Sequence, residues 1–295
     1  MKVGISLMRG AYTPEAYAYE KYLMSKGVSV QLDYAESLCG DNDLNVFFMG
    51  LRVGRKKNKA LEIHEYQSLS TAPFAKIKDH IKSTFNRKPQ GRIFLNDIVK
   101  ANLNFGHDQV PYICRDMGVD KSFYQKPSIN PDFDIIYSGS INGRPGLVEQ
   151  MYKLAEDGFK IIVVGESTPG TRNIFSKFGR KVFFTGRVTR EELPEIYRNC
   201  RAGLNFTPDI YPFNLQTSTK TLEYLASGLI VLTNRYKWSE SFFYGQERHC
   251  VFLGQVNQMD DIKNQEDHFI GIEKFEWSKI LSSADLHGFI KRVIR

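Results

Sequence analysis

Short apolar runs alternate with amphipathic stretches along the whole sequence, and this alternation limits the fold more than any other feature. In such a chain each apolar run forms a strand buried on both faces, and each amphipathic stretch forms a covering helix. The runs fall into two series, separated by a segment at 120–131 that holds two prolines and little apolar periodicity. We therefore predict an α/β protein with two Rossmann-like, doubly wound domains that face a central cleft.

The predicted elements fill both series. In the first series, strands are predicted at Lys2–Leu7, Val28–Asp33, Leu44–Met49, Ala60–His64, Arg92–Leu95 and Val110–Cys114, and helices at Pro14–Lys26 and Pro73–Phe85. In the second, strands are predicted at Asp134–Ser138, Ile161–Gly165, Val182–Thr185, Ala202–Phe206, Leu229–Thr233 and Cys250–Leu253, and helices at Leu147–Asp157, Arg190–Cys200 and Ser218–Ala226. The predicted domains are 1–126 and 127–283, followed by a C-terminal helix at 284–295.

The net charge of +7 is concentrated in the first domain, where residues 1–126 hold 19 basic and 13 acidic side chains. The densest basic run consists of Arg52, Arg55, Lys56, Lys57 and Lys59. One interpretation is a solvated loop, since charge runs are usually exposed. The other is a patch that contacts an anionic membrane, a pyrophosphate-linked acceptor or another polyanion. Nucleic acid is not expected as a partner, because no recognised binding motif accompanies the run.

No stretch approaches the roughly 18 uninterrupted apolar residues that a membrane-spanning helix needs. Residues 1–10 are too short in their apolar part for a secretory signal. We expect a cytoplasmic protein, and the basic run leaves open a peripheral contact with the inner face of the membrane.

Metal and cofactor motifs are absent from the sequence. Glycine spacing after the first strand does not fit a dinucleotide site, and there is no P-loop, H-E-x-x-H, G-x-S-x-G or C-x-x-C motif. Asp41 and Asp43 form a D-x-D pattern of the kind that chelates divalent metals, but they follow Gly40 in a stretch where turns are common. We expect neither a metal nor a bound cofactor.

The most informative stretch, 212–228, predicts a helix with a phosphate site at its start. Ser218 and Thr219 supply the preferred capping chemistry, and free N–H groups at a helix start attract phosphate. Lys220 lies in the first turn against its dipole preference, which indicates that an anion is expected there. Glu223 shares a face with Lys220 and could accept the hydroxyls of a ribose. The alternative interpretation is a capped surface helix with an i,i+3 ion pair.

This stretch resembles the nucleotide-sugar-binding core of the "group one" GT-B glycosyltransferases, whose donor helix reads S-x-K-x-x-E-Y-L-A-x-G. The matching residues are Ser218, Lys220, Glu223, Tyr224, Leu225, Ala226 and Gly228. Supporting matches are Gly118-Val119-Asp120 with Phe123, Ile136 to Ser140 with Asn142-Gly143-Arg144, and Phe184 to Val188 with Glu191-Glu192-Leu193 and Tyr197. The resemblance is strong over roughly 115–235 and weak before it.

The resemblance implies a role for each matching position. Arg144 and Lys220 would neutralise the diphosphate leaving group, and His64 resembles the histidine that closes on the donor sugar; these three are the predicted catalytic residues. The predicted donor-binding residues are Gly139, Arg144, Gly186, Arg187, Ser218, Thr219, Lys220 and Glu223. No metal ligand is implied. The resemblance also implies that the C-terminal helix at 284–295 crosses back to the first domain, as is common in the family.

One position departs from the family pattern. Leu215 stands where the family usually has a glutamate that contacts the donor sugar, eight positions before the ribose-binding one. Asn214 or Gln216 could substitute through amide hydrogen bonds. Retention of the anomeric configuration is the expectation for this group of enzymes.

The function implied is transfer of a hexose-type sugar from a UDP- or GDP-linked donor to a saccharide or lipid-linked glycan, in surface polysaccharide assembly. Two alternatives stay open. One is a nucleotide-sugar epimerase of the same architecture, and the other is a sugar- or nucleotide-binding module without turnover.

Overall fold

The computed structural model describes residues 1–10, 13–48, 50–54, 59–106, 108–141, 144–255 and 269–295. The chain divides into two compact units. Unit 1 contains Met1–Gly118 and Glu276–Arg295, and unit 2 contains Val119–Phe275. In the described ranges no helix is long and apolar enough to cross a bilayer.

Unit 1 is a parallel sheet with helices. Its strands are β1 (Lys2–Leu7), β2 (Ser29–Tyr34), β3 (Leu44–Phe48), β4 (Leu61–Tyr66), β5 (Gly91–Phe94) and β6 (Tyr112–Cys114), in the order β2-β1-β3-β4-β5-β6. Its helices are α1 (Pro14–Ser25), α2 (Ala75–Phe85), α3 (Asp97–Asn102) and, from the C-terminal segment, α9 (Trp277–Ser283) and α10 (Leu286–Ile294). Each pair of neighbouring strands is parallel, as the continuous apolar runs predict.

Unit 2 repeats this plan with a different strand order. Its strands are β7 (Phe133–Ser138), β8 (Ile161–Val164), β9 (Val182–Gly186), β10 (Cys200–Asn205), β11 (Ile230–Thr233) and β12 (Cys250–Phe252), in the order β12-β11-β10-β7-β8-β9. Its helices are α4 (Leu147–Glu156), α5 (Pro169–Ile174), α6 (Leu193–Arg198), α7 (Thr219–Ala226) and α8 (Lys237–Phe243). The strand order reverses between β7 and β10, and ligands of open α/β sheets bind at the carboxyl ends of strands beside such a reversal.

The predicted α/β class with two doubly wound domains is confirmed, and the six strands predicted for each domain are present within one to two residues at most ends. The described residues also contain short helices that were not predicted, α3, α5, α8 and α9, each of six or seven residues. Segments of this length are too short to show a helical period in the sequence.

The domain boundary lies at 118/119 instead of the predicted 126/127. Residues after 118 belong to unit 2 because Phe123 is fully buried there, with its ring centroid 5.4 Å from that of Tyr197. The C-terminal segment joins unit 1 from Glu276, earlier than the predicted 284, because Trp277 and Leu281 of α9 lie in the same core as β1 and β3.

Candidate functional site

Three neighbouring strands of unit 2 each end at a glycine. Gly139, Gly165 and Gly186 have φ angles of 126°, 138° and 76°, values that other residues rarely adopt. A Cβ on Gly165 would lie 2.3 Å from the carbonyl oxygen of Gly139, so no side chain fits there. The ends of β7, β8 and β9 therefore present bare backbone at the place where the sheet can bind a ligand.

The first turn of α7 lies next to this row and is fixed to the end of β10. Ser218 caps the helix, because its Oγ accepts a hydrogen bond from the Thr221 N–H at 3.3 Å. The same hydroxyl donates to Asn205 Oδ1 at 3.0 Å, and Asn205 Nδ2 donates to the Tyr236 hydroxyl at 3.0 Å. Ser218 is thus committed to holding the start of α7 in place, and Thr219 is the first residue of the helix.

Lys220 places a buried cation beside the glycine row. As a residue it is half-buried, but its Nζ is buried and finds no hydrogen-bond partner among the described residues. This nitrogen lies 4.3 Å from the ring centroid of Tyr137, and a Cβ on Gly139 would lie 3.5 Å from it. Burial, together with the charge of Arg144, holds the pKa of Lys220 well below its ordinary value of 10.5.

Arg144 is the second cation at this place. Its Nη1 donates to the carbonyl oxygen of Phe206, just after β10, at 3.4 Å. Two like charges near one another in a partly buried place are unfavourable unless an anion joins them. The charge of Glu223 raises the pKa of Lys220, but by less than burial and the charge of Arg144 lower it.

Glu223 is buried and already engaged. Arg190 donates to its Oε1 in a close ion pair, and the Tyr197 hydroxyl lies 3.3 Å from Oε2. Tyr197 Oη is in turn 2.5 Å from Ser138 Oγ, at the end of β7. Burial and the charge of Glu223 raise the pKa of Tyr197 well above its usual range, which keeps the phenol protonated.

Gly186 and Arg187 follow one another at the end of β9. The Arg187 side chain is exposed, and its Nε pairs with Glu166 Oε1 at 2.8 Å. The structure therefore brings Gly139, Arg144, Lys220 and the first turn of α7 to one place, and it leaves Arg187 in a surface ion pair near the same strand ends. In the parts of the chain that are described, no three His, Cys, Asp or Glu side chains form a group that could hold a metal ion.

Part of the chain is similar in sequence to a known protein family, and the whole chain is similar in fold to solved structures. A protein family described as glycosyl transferase-like matches residues 144–268, which include α7 and Arg144. Sucrose-phosphate synthase from Thermosynechococcus elongatus superposes with a TM-score of 0.69 at 13% identity, over 99% of each chain.

Two further solved structures have the same fold. AviGT4, a glycosyltransferase involved in avilamycin A biosynthesis, superposes with a TM-score of 0.65 at 14% identity, over 99% of this chain and 98% of that one. HepE from Anabaena, in complex with UDP and glucose, gives 0.62 at 11% identity over the same shares. No curated protein sequence is significantly similar to the chain.

The chain has the GT-B fold, and its residues 144–268 match a glycosyl transferase-like family. The GT-B fold implied by the resemblance at 218–228 is thereby confirmed, and the stretch itself lies inside the family match. The epimerase alternative is not favoured, because the family match and these neighbours are glycosyltransferases or a sugar-phosphate synthase.

In this GT-B chain His64 does not lie where a donor could touch it. It is in the middle of β4, with no exposed surface, and its Nε2 lies 3.3 Å from Glu62 Oε2. Burial lowers the pKa of His64. Burial alone would raise the pKa of Glu62, but hydrogen bonds from His64 and Arg87 bring it to about 2. The structure gives no support for a catalytic contact by His64, which is part of a buried ionic cluster in unit 1.

The structure agrees only in part with the exposed basic run that the sequence predicts. Arg52 is directed inward: its guanidinium carbon lies 3.5 Å from the ring centroid of Phe47, and Nη2 is 3.5 Å from Glu62 Oε1. Lys59 is exposed, whereas Arg55, Lys56 and Lys57 lie outside the described residues. Arg52 is therefore mainly a structural residue.

The loop before α7 carries two amides with unused atoms. Asn214 Nδ2 donates to Asp209 Oδ1 at 3.0 Å, while Asn214 Oδ1 and Gln216 Nε2 are buried and have no partner among the described residues. Both amides are adjacent to Leu215, the position where the family pattern has its glutamate.

Sequence reasoning missed the residues that position the site. Arg190, Ser138 and Asn205 come from three different strand ends or loops, and no local period marks them. For Ser138 and Asn205 the available signal was their location at the carboxyl end of a predicted strand of the parallel sheet. Arg190, in the loop between β9 and α6, had no such signal.

Proposed function

We propose that unit 2 binds a nucleoside-diphosphate sugar with its diphosphate against Lys220, Arg144 and the first turn of α7. The chain then transfers the hexose to a saccharide or lipid-linked glycan, in the assembly of a surface polysaccharide. A diphosphate would supply the anion that two neighbouring cations lack, and it would neutralise the leaving group in the reaction.

The observation that carries the proposal is the unpartnered Nζ of Lys220. A buried ammonium without a hydrogen bond is costly, and proteins retain such a group mainly where a ligand completes it. The bare backbone at Gly139 allows phosphate oxygens to approach the same nitrogen without meeting a side chain. The free N–H groups at the start of α7 add further donors.

We assign the nucleoside to the side of Glu223 and Gly186. HepE was solved with UDP and glucose, which makes UDP the first nucleotide to test. Glu223 would accept the ribose hydroxyls, with Arg190 and Tyr197 holding its carboxylate in position. Gln216 Nε2, which is buried and unpartnered, is the group we assign to a hydroxyl of the donor sugar.

The acceptor half of the proposal rests on charge. Unit 1 carries most of the basic excess, which suits a pyrophosphate-linked or membrane-bound acceptor. We propose that the chain works in the cytoplasm, at the inner face of the membrane, without a metal or another cofactor. Retention is proposed from the resemblance of the donor helix to the group-one enzymes.

Substitution of Lys220 tests the site. We expect Lys220→Met to weaken UDP binding at least tenfold in calorimetry, about 1.4 kcal/mol or more, because methionine fills the space without the charge. Lys153→Met is the matched control, since Lys153 is an exposed lysine of α4 paired only across the helix surface with Glu149 at 3.2 Å. Equal UDP affinity of wild type and Lys220→Met would refute the assignment.

Turnover is tested with UDP- and GDP-sugars by following free nucleotide and product. Transfer to a saccharide or lipid-linked acceptor supports the proposal, and proton NMR of the first product reads the anomeric configuration. Conversion of the donor into an epimer, or tight UDP binding without any transfer or hydrolysis, would favour one of the two alternatives.

A further inference from the structure

Helix α2 of unit 1 has an inverted distribution of polarity. Its one buried residue is an acid, Asp79, whose Oδ1 accepts a hydrogen bond from the Ser70 N–H at 2.8 Å. Its large apolar side chains point to solvent: Ile77 is 57% exposed and Phe85 is 62% exposed. An ordinary surface helix shows the opposite pattern, with apolar residues toward the core.

The apolar face of α2 continues onto its neighbours. Phe74, which precedes the helix, is 71% exposed and has a φ of 62°, an unfavourable angle for a bulky residue. Leu51 and Val53 are exposed on the loop after β3, which is attached to the end of α2 by the Arg52 N–H donating to Asn86 Oδ1 at 2.6 Å. We call the following six residues the α2 surface: Leu51, Val53, Phe74, Ile77, Ile81 and Phe85.

The exposed charged side chains of the segment that contains α2 are of one sign. Lys76, Lys78 and Lys88 are exposed beside it, and Lys82 is half-buried. In the sequence from 66 to 96 the single acidic residue is Asp79, which is buried. The α2 surface is therefore an exposed apolar stripe bordered by lysines, with no exposed acid in that segment.

An apolar stripe bordered by lysines favours one kind of binding partner over others. Exposed apolar stripes that are rimmed by polar residues mark docking surfaces. A basic, amphipathic helix is the pattern that lies in the interface of an anionic bilayer, with its apolar face among the acyl chains and its lysines at the headgroups. With 11 residues, α2 is far too short to span a bilayer and long enough to lie along its surface.

We propose that the α2 surface docks this protein on an anionic lipid bilayer, with α2 parallel to the membrane plane. The contact differs from the one expected from the sequence, since it uses Phe74, Ile77 and Phe85 in addition to charge and does not require Arg52. It rests on the proposed place of work at the membrane and names the surface that makes the contact, and it is independent of the transfer itself because membrane binding needs neither donor nor acceptor.

Sedimentation with vesicles tests the proposal on the full-length protein. The vesicles are pure phosphatidylcholine, or phosphatidylcholine in which phosphatidylglycerol replaces a part. Wild type is expected to bind the anionic vesicles and to bind the neutral ones at least tenfold more weakly. Ile77→Gln/Phe85→Gln should lose at least tenfold in binding to the anionic vesicles, and Lys76→Gln/Lys78→Gln should lose most of the preference for them.

The matched control is Ile129→Gln/Tyr244→Gln, which removes two apolar side chains that are 93% and 85% exposed elsewhere. It should bind vesicles like wild type. Urea unfolding, measured on every variant, reports the folding of unit 1, which contains α2. UDP affinity, measured beside it, keeps the test independent of the donor site in unit 2.

Two results would overturn the proposal. One is equal vesicle binding by wild type and Ile77→Gln/Phe85→Gln. The other is a wild-type dimer that ignores vesicles and becomes a monomer in that double variant, which would assign the α2 surface to a second copy of the chain.

Discussion

Lys220 illustrates how far a single residue can be interpreted from the sequence. Its place in the first turn of α7, against the helix dipole, predicted an anion site, and the structure shows that its Nζ is buried and unpartnered. Glu223 was expected on the same face as Lys220, yet its close partner is Arg190, 33 positions away in the sequence. Helical spacing predicts neighbours within α7, but it carries no information on which loop packs against the helix.

His64 shows where interpretation of a single residue from the sequence fails. An apolar run followed by His64 and Glu65 fits both a strand end that faces a ligand and a strand interior. The strand continues to Tyr66, two residues past His64, and so the imidazole lies in the core of unit 1. The position of a strand end decides between the two cases, and strand ends are the least certain part of a prediction from sequence.

The buried ammonium of Lys220 predicts a dependence of stability on pH. Its pKa is lowered in the folded state, so the unfolded chain binds more protons between that lowered pKa and 10.5. In this range the free energy of unfolding rises with pH, and below it the cost of burial is fully present. Without UDP, we expect Lys220→Met to be more stable than wild type by about 1–3 kcal/mol at pH 7.

Urea unfolding of both proteins between pH 7 and pH 10 measures this effect. The stability gap should narrow as the pH rises, while Lys153→Met should follow wild type throughout. A Lys220→Met protein less stable than wild type at pH 7 would mean that the ammonium is stabilised by the fold itself and not reserved for a ligand.

At the scale of elements, the strands were predictable and their functional ends were not. Continuous apolar runs locate β7 to β9, because strands covered on both faces need apolar residues on both sides. The run 161–165 already contained Gly165, but only the structure shows that its Cα lies against the Gly139 carbonyl. Close approach of two loops is a tertiary property, and a sequence shows the glycine without its neighbour.

Gly165 and Gly186 make a matched pair for testing this row. Gly186→Ala meets no atom within 4 Å, so its cost is that of a positive φ, about 1 kcal/mol. Gly165→Ala has the same backbone problem and also a contact of 2.3 Å with the Gly139 oxygen, so it must displace the backbone of the site. We expect Gly165→Ala to cost more stability than Gly186→Ala and to weaken UDP binding more strongly.

Chemical denaturation and UDP calorimetry on the two variants check this expectation. Equal losses of stability and UDP affinity in both variants would show that the loop at Gly139 adjusts freely. The three glycines would then serve only to turn the chain at the strand ends.

At the scale of the whole molecule, patterning predicted two domains and the family resemblance predicted the return of the C-terminal helix, but the start of the returning segment at Glu276 needed the structure. The chain passes between the units at 118/119 and at 275/276. In unit 1, a Cβ on Gly118 would lie 2.4 Å from the Trp277 ring, and in unit 2 the Val119 N–H donates to the Phe275 carbonyl at 2.8 Å. These contacts join positions 118 and 277, and positions 119 and 275, which are far apart in the sequence, and so no local pattern could reveal them.

The C-terminal segment completes the core of unit 1, and so a substitution in this segment should destabilise unit 1 and not unit 2. Leu281 of α9 is fully buried in the core that contains Val3 and Ile5 of β1. Leu281→Ala should lower the free energy of unfolding by about 2–5 kcal/mol, since it leaves a cavity in that core. The donor site lies in unit 2, so we expect UDP affinity to stay within about twofold of wild type.

Hydrogen exchange shows which unit Leu281→Ala destabilises. Amides of 1–118 and 276–295 should exchange faster in Leu281→Ala, while those of 119–255 keep their protection, because units with separate cores open separately. Ser282→Ala, at the exposed neighbouring position, is the control and should match wild type. If exchange accelerates equally in both sets of amides, the two units unfold as one cooperative body, and the division into separately stabilised units would have to be abandoned.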